Sequence, residues 1–217
     1  MIDGITVAVD EQAVAVIGDR PLAVVSSAPV GGGFSVARTL LNVHVGSRFE
    51  RCDLVTAIAA FAHARTLPRP WVGFFTAAET DRAEVAVERV DDVVALAVVT
   101  VGLSQPIAAG WAAPAVTRAA GTINAIVIVD ADLEPPALVN TVATVAEVKA
   151  SILARVGVHA AERPATGTAT DAVAVGATRR GPRYPFGGPC TVPGAAIARA
   201  SHAALERGIR RWLATHR

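Results

Sequence analysis

The chain has 217 residues, enough for one domain with a sizeable core. Its 20 basic and 19 acidic side chains leave a net charge of +1, which offers no field to attract nucleic acid or an acidic membrane surface. Hydrophobic residues make up 52%, mostly Ala and Val, and aromatics only 5%, so the core is built from small side chains and the backbones can pack closely.

The longest apolar run checked, 93–103 (VVALAVVTVGL), is well short of the roughly 18–20 residues a membrane span needs. The N-terminal MIDGITVAVDE carries Asp3 and Asp10 and lacks a basic region, so no signal peptide is expected. Cys52 and Cys190 make neither a disulfide framework nor a metal spacing, and the compartment expected is the reduced cytoplasm.

In chain order, 5–19 alternates around Asp10-Glu11 and predicts a β-hairpin. Residues 21–28 predict a separate buried strand, 29–33 a glycine loop, and 36–45 a returning strand. Residues 53–66 predict a helix with Asp53 as N-cap, and 71–78 a further strand. Two strands up to Ser104 follow, then a loop rich in Pro, Ala and Gly, then a strand over 121–130. Residues 135–156 form the clearest helix, opened by prolines suited to a first turn. The run TGTATDAVAV (166–175) leads into a strand, and a Gly/Pro-rich loop precedes a last helix over 194–214. The fold class expected is mixed α+β, with mostly antiparallel mixed sheets and about three helices packed on them, in one domain over 1–217.

The two halves, 1–80 and 83–180, share an order of elements. Leu41-Asn42-Val43 matches Ile123-Asn124-Ala125, and the segment from Gly73 to Thr76 matches that from Gly167 to Thr170. An internal duplication would bring the two Asn strands and the two Gly-Thr turns together at a pseudo-twofold axis, a common place for a cleft.

On a wheel of about 100° per residue, the long helix has two unusual faces. Asn140, Thr144, Glu147 and Ser151 make a narrow polar stripe, either a solvated face or the wall of a polar cleft. Leu138, Val142, Val145, Ile152 and Val156 make the apolar side, and Lys149 sits in its middle. A lysine there must snorkel, pair with a carboxylate or point into a polar cavity. Asp171, on the strand that follows, is the first choice of partner.

Other candidates are weaker. Ser26 and Ser27 precede Gly31, Gly32 and Gly33, where backbone N–H groups could approach a ligand, although an ordinary loop reads equally well. No Walker A lysine, G-x-G-x-x-G or Gly-x-Ser-x-Gly is present. No two of the five histidines pair at metal spacing, so no metal is assigned. His44 shares a strand face with Asn42. The basic end 207–217 reads as a solvated helix end packed through Trp212 and Leu213. In the threonine run, Thr166, Thr168 and Thr170 would share one face of a regular strand and Asp171 the other, unless a bulge or bend intervenes.

GTINAIVIV, the helix segment AEVKASIL and TGTATDAVAV resemble, in this order, the adenosylcobinamide amidohydrolases. SSAPVGGG with LLNVHV, VGFFTAA and VTVGLS resemble that family's earlier segments, and FGGPCTVPGAAIARA its C-terminal stretch, so the resemblance covers nearly the whole chain. Gln105, Val148 and Ala169 depart from the family's usual Asn, Ala and Gly, while Ser104, Asn124, Glu147, Lys149, Thr168 and Asp171 are kept.

The resemblance implies hydrolysis of the amide joining aminopropanol to the corrin in adenosylcobinamide, giving adenosylcobyric acid and (R)-1-amino-2-propanol for cobalamin salvage. The corrinoid is substrate, and no cofactor, nucleic acid or membrane is expected; a homodimer is left open. Asp171 or Glu147 would activate water, with Lys149 holding that carboxylate or protonating the leaving amine. Thr168 or Thr122 as nucleophile is the rival. Ser26, Ser27, Gly32, Gly33, Asn42, Thr76, Ser104, Asn124, Thr166 and Gly167 are the expected substrate-binding positions, with Asn42, Asn124 and N–H groups near Gly167 as oxyanion donors. The competing functions are a corrinoid-binding protein without catalysis and a Thr-nucleophile amidase or acyltransferase for another small molecule.

Overall fold

The computed structural model describes residues 1–46, 53–113 and 121–216; Cys52 and part of the loop before Gly121 lie outside them. In chain order the elements are β1 (Ile5–Val9), β2 (Ala13–Ser26), β3 (Gly33–His44), α1 (Leu54–Ala64), β4 (Trp71–Thr76), a 3-10 turn (Thr80–Arg82), β5 (Glu84–Val90) and β6 (Val93–Val101). There follow β7 (Pro106–Ile107), β8 (Ile123–Val129), β9 (Asp132–Leu133), α2 (Pro135–Arg155), β10 (His159–Ala160), β11 (Arg163–Pro164), β12 (Gly167–Thr168), β13 (Ala172–Ala177), β14 (Arg183–Tyr184) and α3 (Val192–Thr215).

Eight strands form one mixed sheet in the order β4-β3-β2-β13-β8-β6-β5, with β1 paired to β2. Within this sheet, among the described residues, only β3–β4 and β8–β13 are parallel. Each of these pairs is joined through a helix, α1 or α2, as a parallel connection requires. The mixed, mostly antiparallel α+β class read from the sequence is the class observed.

Alternation along the strands sorts the apolar side chains into layers. In β8, Ala125, Val127 and Val129 pack toward α2 and α3, with Leu138, Val145, Ile152, Ile197 and Leu205 opposite them. Ile126 and Ile128 point to the other face, whose cluster holds no α-helix residue among those described. There they meet Val16 and Val24 of β2, Leu40 of β3, Phe74 of β4 and Leu96 of β6. The sheet therefore curls over, and its two halves pack against each other across this inner cluster. Ile58 and Ala62 of α1 cover the outer face of β2 and β3 over Ala13, Ala15, Leu41 and Val43. α2 is apolar and long enough to cross a membrane by composition, but Ala137, Leu138, Val145, Ile152 and Leu153 are buried against the sheet and α3.

The sequence reading is corrected in β2. A hairpin arm and a separate strand were expected on either side of residue 20, yet one strand runs from Ala13 to Ser26. Its register against β3 slips between Ile17 and Leu22. Pro21, which has no N–H to give, falls inside that slip, where the ladder does not need one. The Arg38 side chain bonds the Gly18 carbonyl there, through Nε at 3.2 Å and Nη2 at 3.1 Å.

The helices begin as expected. Asp53 caps α1 by accepting from the N–H groups of Val55 and Thr56, which holds its carboxyl below the ordinary range, chiefly through the Thr56 hydroxyl. Prolines open α2. The Thr191 side chain caps α3, accepting from the Gly194 N–H.

Phe74 is fully buried in the inner cluster between the sheet halves. Phe74→Ala is expected to cost about 3–5 kcal/mol, read as a lowered urea midpoint at unchanged slope.

Candidate active site

Between β12 and β13 the chain turns sharply, and the expected alternation of Thr166, Thr168 and Thr170 fails. The turn over Ala169 and Thr170 swings Asp171 back onto Thr168. Asp171 Oδ2 accepts from Lys149 Nζ at 2.5 Å and from the Thr168 N–H at 3.0 Å. Asp171 Oδ1 accepts from the Thr168 hydroxyl and from the Ile123 N–H, the latter at 2.9 Å. A carboxylate has about four lone-pair positions, so Asp171 is saturated.

Lys149, stranded on the apolar side of α2, thus has its carboxylate. The side chains of the pair keep only 13% and 10% of their exposure, so the cluster lies just under the surface. Removing one partner from a pair this buried costs about 3–5 kcal/mol, because the other charge is left unpaired. Gly167 makes the approach possible: a Cβ there would stand 2.3 Å from Asp171 Oδ2 and 2.8 Å from Lys149 Nζ.

The Thr168 hydroxyl has one hydrogen and two acceptors in reach. The Gly121 carbonyl is 3.3 Å away, whereas the Asp171 carboxylate is much nearer and charged, so the hydrogen goes to Asp171. The Thr122 hydroxyl faces Asn124 Oδ1 and the Thr170 carbonyl, both at 2.9 Å. Neither of those is a base. Thr166 accepts from the Ala109 N–H at 2.9 Å, which ties the loop after β7 to β12.

Asn42 and Asn124 do meet, but inside the protein. Asn124 donates one amide hydrogen to Asn42 Oδ1 and the other to the Phe75 carbonyl, both at 3.0 Å. Asn42 donates to Thr100 Oγ1 at 2.9 Å, and both asparagines are 2% exposed. Asn124 therefore has no hydrogen left for an oxyanion, and the network instead staples β3 and β4 to β6 and β8 across the curl. The matched Gly-Thr segments are not equivalent: Gly73 lies inside β4 against Ile58, whereas Gly167 lies at a turn against the ion pair.

Glu147 is exposed on α2, two residues from Lys149 and so on a different side of the helix, and the structure does not bring it into the cluster. Of its polar stripe, Thr144 is buried and Asn140 and Ser151 are exposed. Ser26 and Ser27 form a clamp rather than an open rim. Ser26 donates its hydroxyl to the Val173 carbonyl at 3.1 Å, and Ser27 accepts from the Val173 N–H at 3.0 Å. Gly32 and Gly33 are exposed in the loop beyond. Thr76 is buried and accepts from the Ala78 N–H, and His44 Nδ1 lies 3.0 Å from the Ala78 carbonyl.

Ser104 is exposed and stands against Gly121, where a Cβ would meet its Oγ at 2.3 Å. Both line a cleft of about 320 Å³ that also touches Arg82, Arg211, Trp212 and His216. The cleft reaches the Asp171 cluster through Gly121, whose carbonyl faces Thr168. Sequence reasoning missed this cleft, since its walls come from β4–β5, β6 and the end of α3. Among the described residues, no group of three His, Cys, Asp or Glu side chains could hold a metal.

Gly167→Ala should drive the ion pair apart and lower stability by about 2–4 kcal/mol. Gly46→Ala, where a Cβ meets nothing within 4 Å, should stay within about 0.5 kcal/mol of the parent. Urea midpoints of the two variants check the contrast.

Solved structures of low identity align with most of the chain. One is the PH0078 protein from Pyrococcus horikoshii OT3, at 12% identity over 99% of this chain and 80% of that one, with a TM-score of 0.46. A Burkholderia sp. beta-aminopeptidase has 14% identity, covers 93% and 78%, and scores 0.46. The L-aminopeptidase D-Ala-esterase/amidase from Ochrobactrum anthropi, described as a variant of the Ntn hydrolase fold, has 10% identity, covers 97% and 83%, and scores 0.41. No curated protein matches the chain significantly. The model of the family described as CbiZ, adenosylcobinamide amidohydrolase, matches residues 1–217. The chain therefore belongs to the adenosylcobinamide amidohydrolase family and is an amide-bond hydrolase.

Proposed function

We propose that the protein hydrolyses the aminopropanol amide of adenosylcobinamide, releasing adenosylcobyric acid and (R)-1-amino-2-propanol for cobalamin salvage in the cytoplasm. The observation that carries the chemistry is the saturated Asp171 carboxylate with the Thr168 hydroxyl on one oxygen and Lys149 on the other. A carboxylate with every position taken has no room for a water of its own. It acts through the hydroxyl it already holds.

In this reading Thr168 Oγ1 attacks the amide carbon as its proton passes to Asp171 Oδ1. The C–N bond breaks, the departing nitrogen takes that proton, and aminopropanol leaves as the free amine. A water then cleaves the Thr168 ester, giving the corrinoid carboxylate and restoring the hydroxyl. Lys149 fixes the carboxylate in place through a charge-assisted hydrogen bond. Thr122 is the weaker nucleophile, because its hydroxyl meets only carbonyl acceptors. Glu147, in solvent away from the cluster, has no part.

Thr168→Ala and Asp171→Asn should lower aminopropanol release by at least about 10²-fold. Glu147→Ala should change it less than about twofold, and Thr168→Ser should keep measurable turnover. Release is followed by mass detection of both products, with circular dichroism confirming each fold. A folded Thr168→Ala protein with full turnover would sink the nucleophile. A wild-type protein that leaves adenosylcobinamide intact would sink the substrate.

Quenching during turnover gives a second check. An acyl adduct on the peptide containing Thr168 is expected, with a mass matching the corrinoid acid less one water. An adduct on Thr122 instead would reverse the choice of nucleophile.

A further inference from the structure

The chain has three tryptophans. Trp71 packs against the α1 cluster and Trp212 against the α2–α3 cluster. Trp111 is 66% exposed, the one tryptophan of the three that is not packed on a core cluster among the described residues. It is also held in place. The Arg163 guanidinium lies over one face of its ring, at 4.2 Å from the centroid. The backbone N–H of Trp111 bonds the Ala108 carbonyl at 3.2 Å, closing a turn directly after β7.

This turn is anchored to the catalytic segment. β7 pairs with β12, Ile107 opposite Gly167 and Pro106 opposite Thr168. Ala109 donates to Thr166, and the Thr166 N–H bonds the Ile107 carbonyl at 2.8 Å. Arg163 sits in β11, which leads straight into Ala165 and β12. One residue of strand and one turn separate Trp111 from the Ile107–Gly167 pair, so the indole stands on the order of 10 Å from the cluster.

We propose that Trp111, backed by Arg163, is a stacking platform for the adenine of an adenosylated corrinoid and sets the preference for the adenosylated substrate. This rests on the function proposed above. The choice of adenine follows from shape. A corrin carries axial ligands and peripheral side chains on both faces and cannot lie flat on an indole. Adenine has two open faces, and an aromatic ring with a cation behind it is a strong partner for a base. The spacing also fits. The adenosyl group hangs from the metal at the ring centre and the amide from a side chain at the ring edge, so base and amide are held apart by about the radius of the macrocycle, the same order as the ~10 Å between platform and cluster.

The test measures binding to the Thr168→Ala protein in the dark, with adenosylcobinamide and dicyanocobinamide as separate probes. Adding Trp111→Ala should weaken adenosylcobinamide about tenfold, within the range of base–aromatic stacking, and leave dicyanocobinamide unchanged. Trp111→Phe should restore most of the loss. An equal loss for both probes would mean the indole touches the corrin, and the adenine assignment falls. No loss for either, or no binding of adenosylcobinamide at all, also overturns it. Binding that depends on Trp111 in a protein whose wild-type form releases no aminopropanol would keep the platform and remove the hydrolase reading alone.

Discussion

One carboxylate holds the working end of this molecule together. Asp171 receives four donors from three places: the Lys149 ammonium of α2, the Thr168 N–H and hydroxyl at β12, and the Ile123 N–H at the start of β8. Helix, turn and central strand are thereby fixed at a single point. The ion pair is nearly buried, so its charge–charge attraction is little screened by water, and its desolvation is offset by the extra hydrogen bonds. A saturated acid of this kind is poorly suited to hold water, yet well suited to take a proton from the hydroxyl already bonded to it.

The rest of the fold serves that point. The sheet curls until its two halves share an inner core with no α-helix residue among those described, and the outer faces are covered by α1 on one side and by α2 and α3 on the other. The curl is stapled at the end nearest the site by Asn42, Asn124, Thr100 and the Phe75 carbonyl. A buried network with its members paired favours one closed arrangement over looser ones, since any opening would strand amide groups away from water. The asparagines, expected from the sequence at the substrate, are buried here and bonded to other groups of the protein.

Small residues matter here as much as charged ones. Gly167 lets the ion pair reach the backbone, and Gly121, at φ +141, lets Ser104 close on the start of β8. Both stand in sequence beside threonines, Thr168 and Thr122. What they approach was legible only in part: Lys149 and Asp171 could be matched because a lysine in an apolar stripe demands an acid, and the next strand supplied one. Glu147 sits two residues from Lys149, but a helix turns about 200° over that step, which carries it out of the cluster into solvent. Ser26 and Ser27 read as a rim because they precede glycines, but their hydroxyls clamp Val173.

The sequence by itself determined the helices and most of the long strands, the mixed α+β class, the family and the pairing of one stranded lysine with one acid. Those follow from local periodicity, from capping residues and from the cost of an unpaired buried charge, all written within short stretches of chain. The tertiary structure decided the rest. It turned the chain between Thr168 and Asp171, so that a residue expected on the opposite strand face bonds the hydroxyl it follows. It closed Asn42 onto Asn124, and it brought Trp111 and Arg163 together beside β12. Such outcomes depend on how a curled sheet brings distant strands into register, and no periodicity within one segment encodes the distance between two.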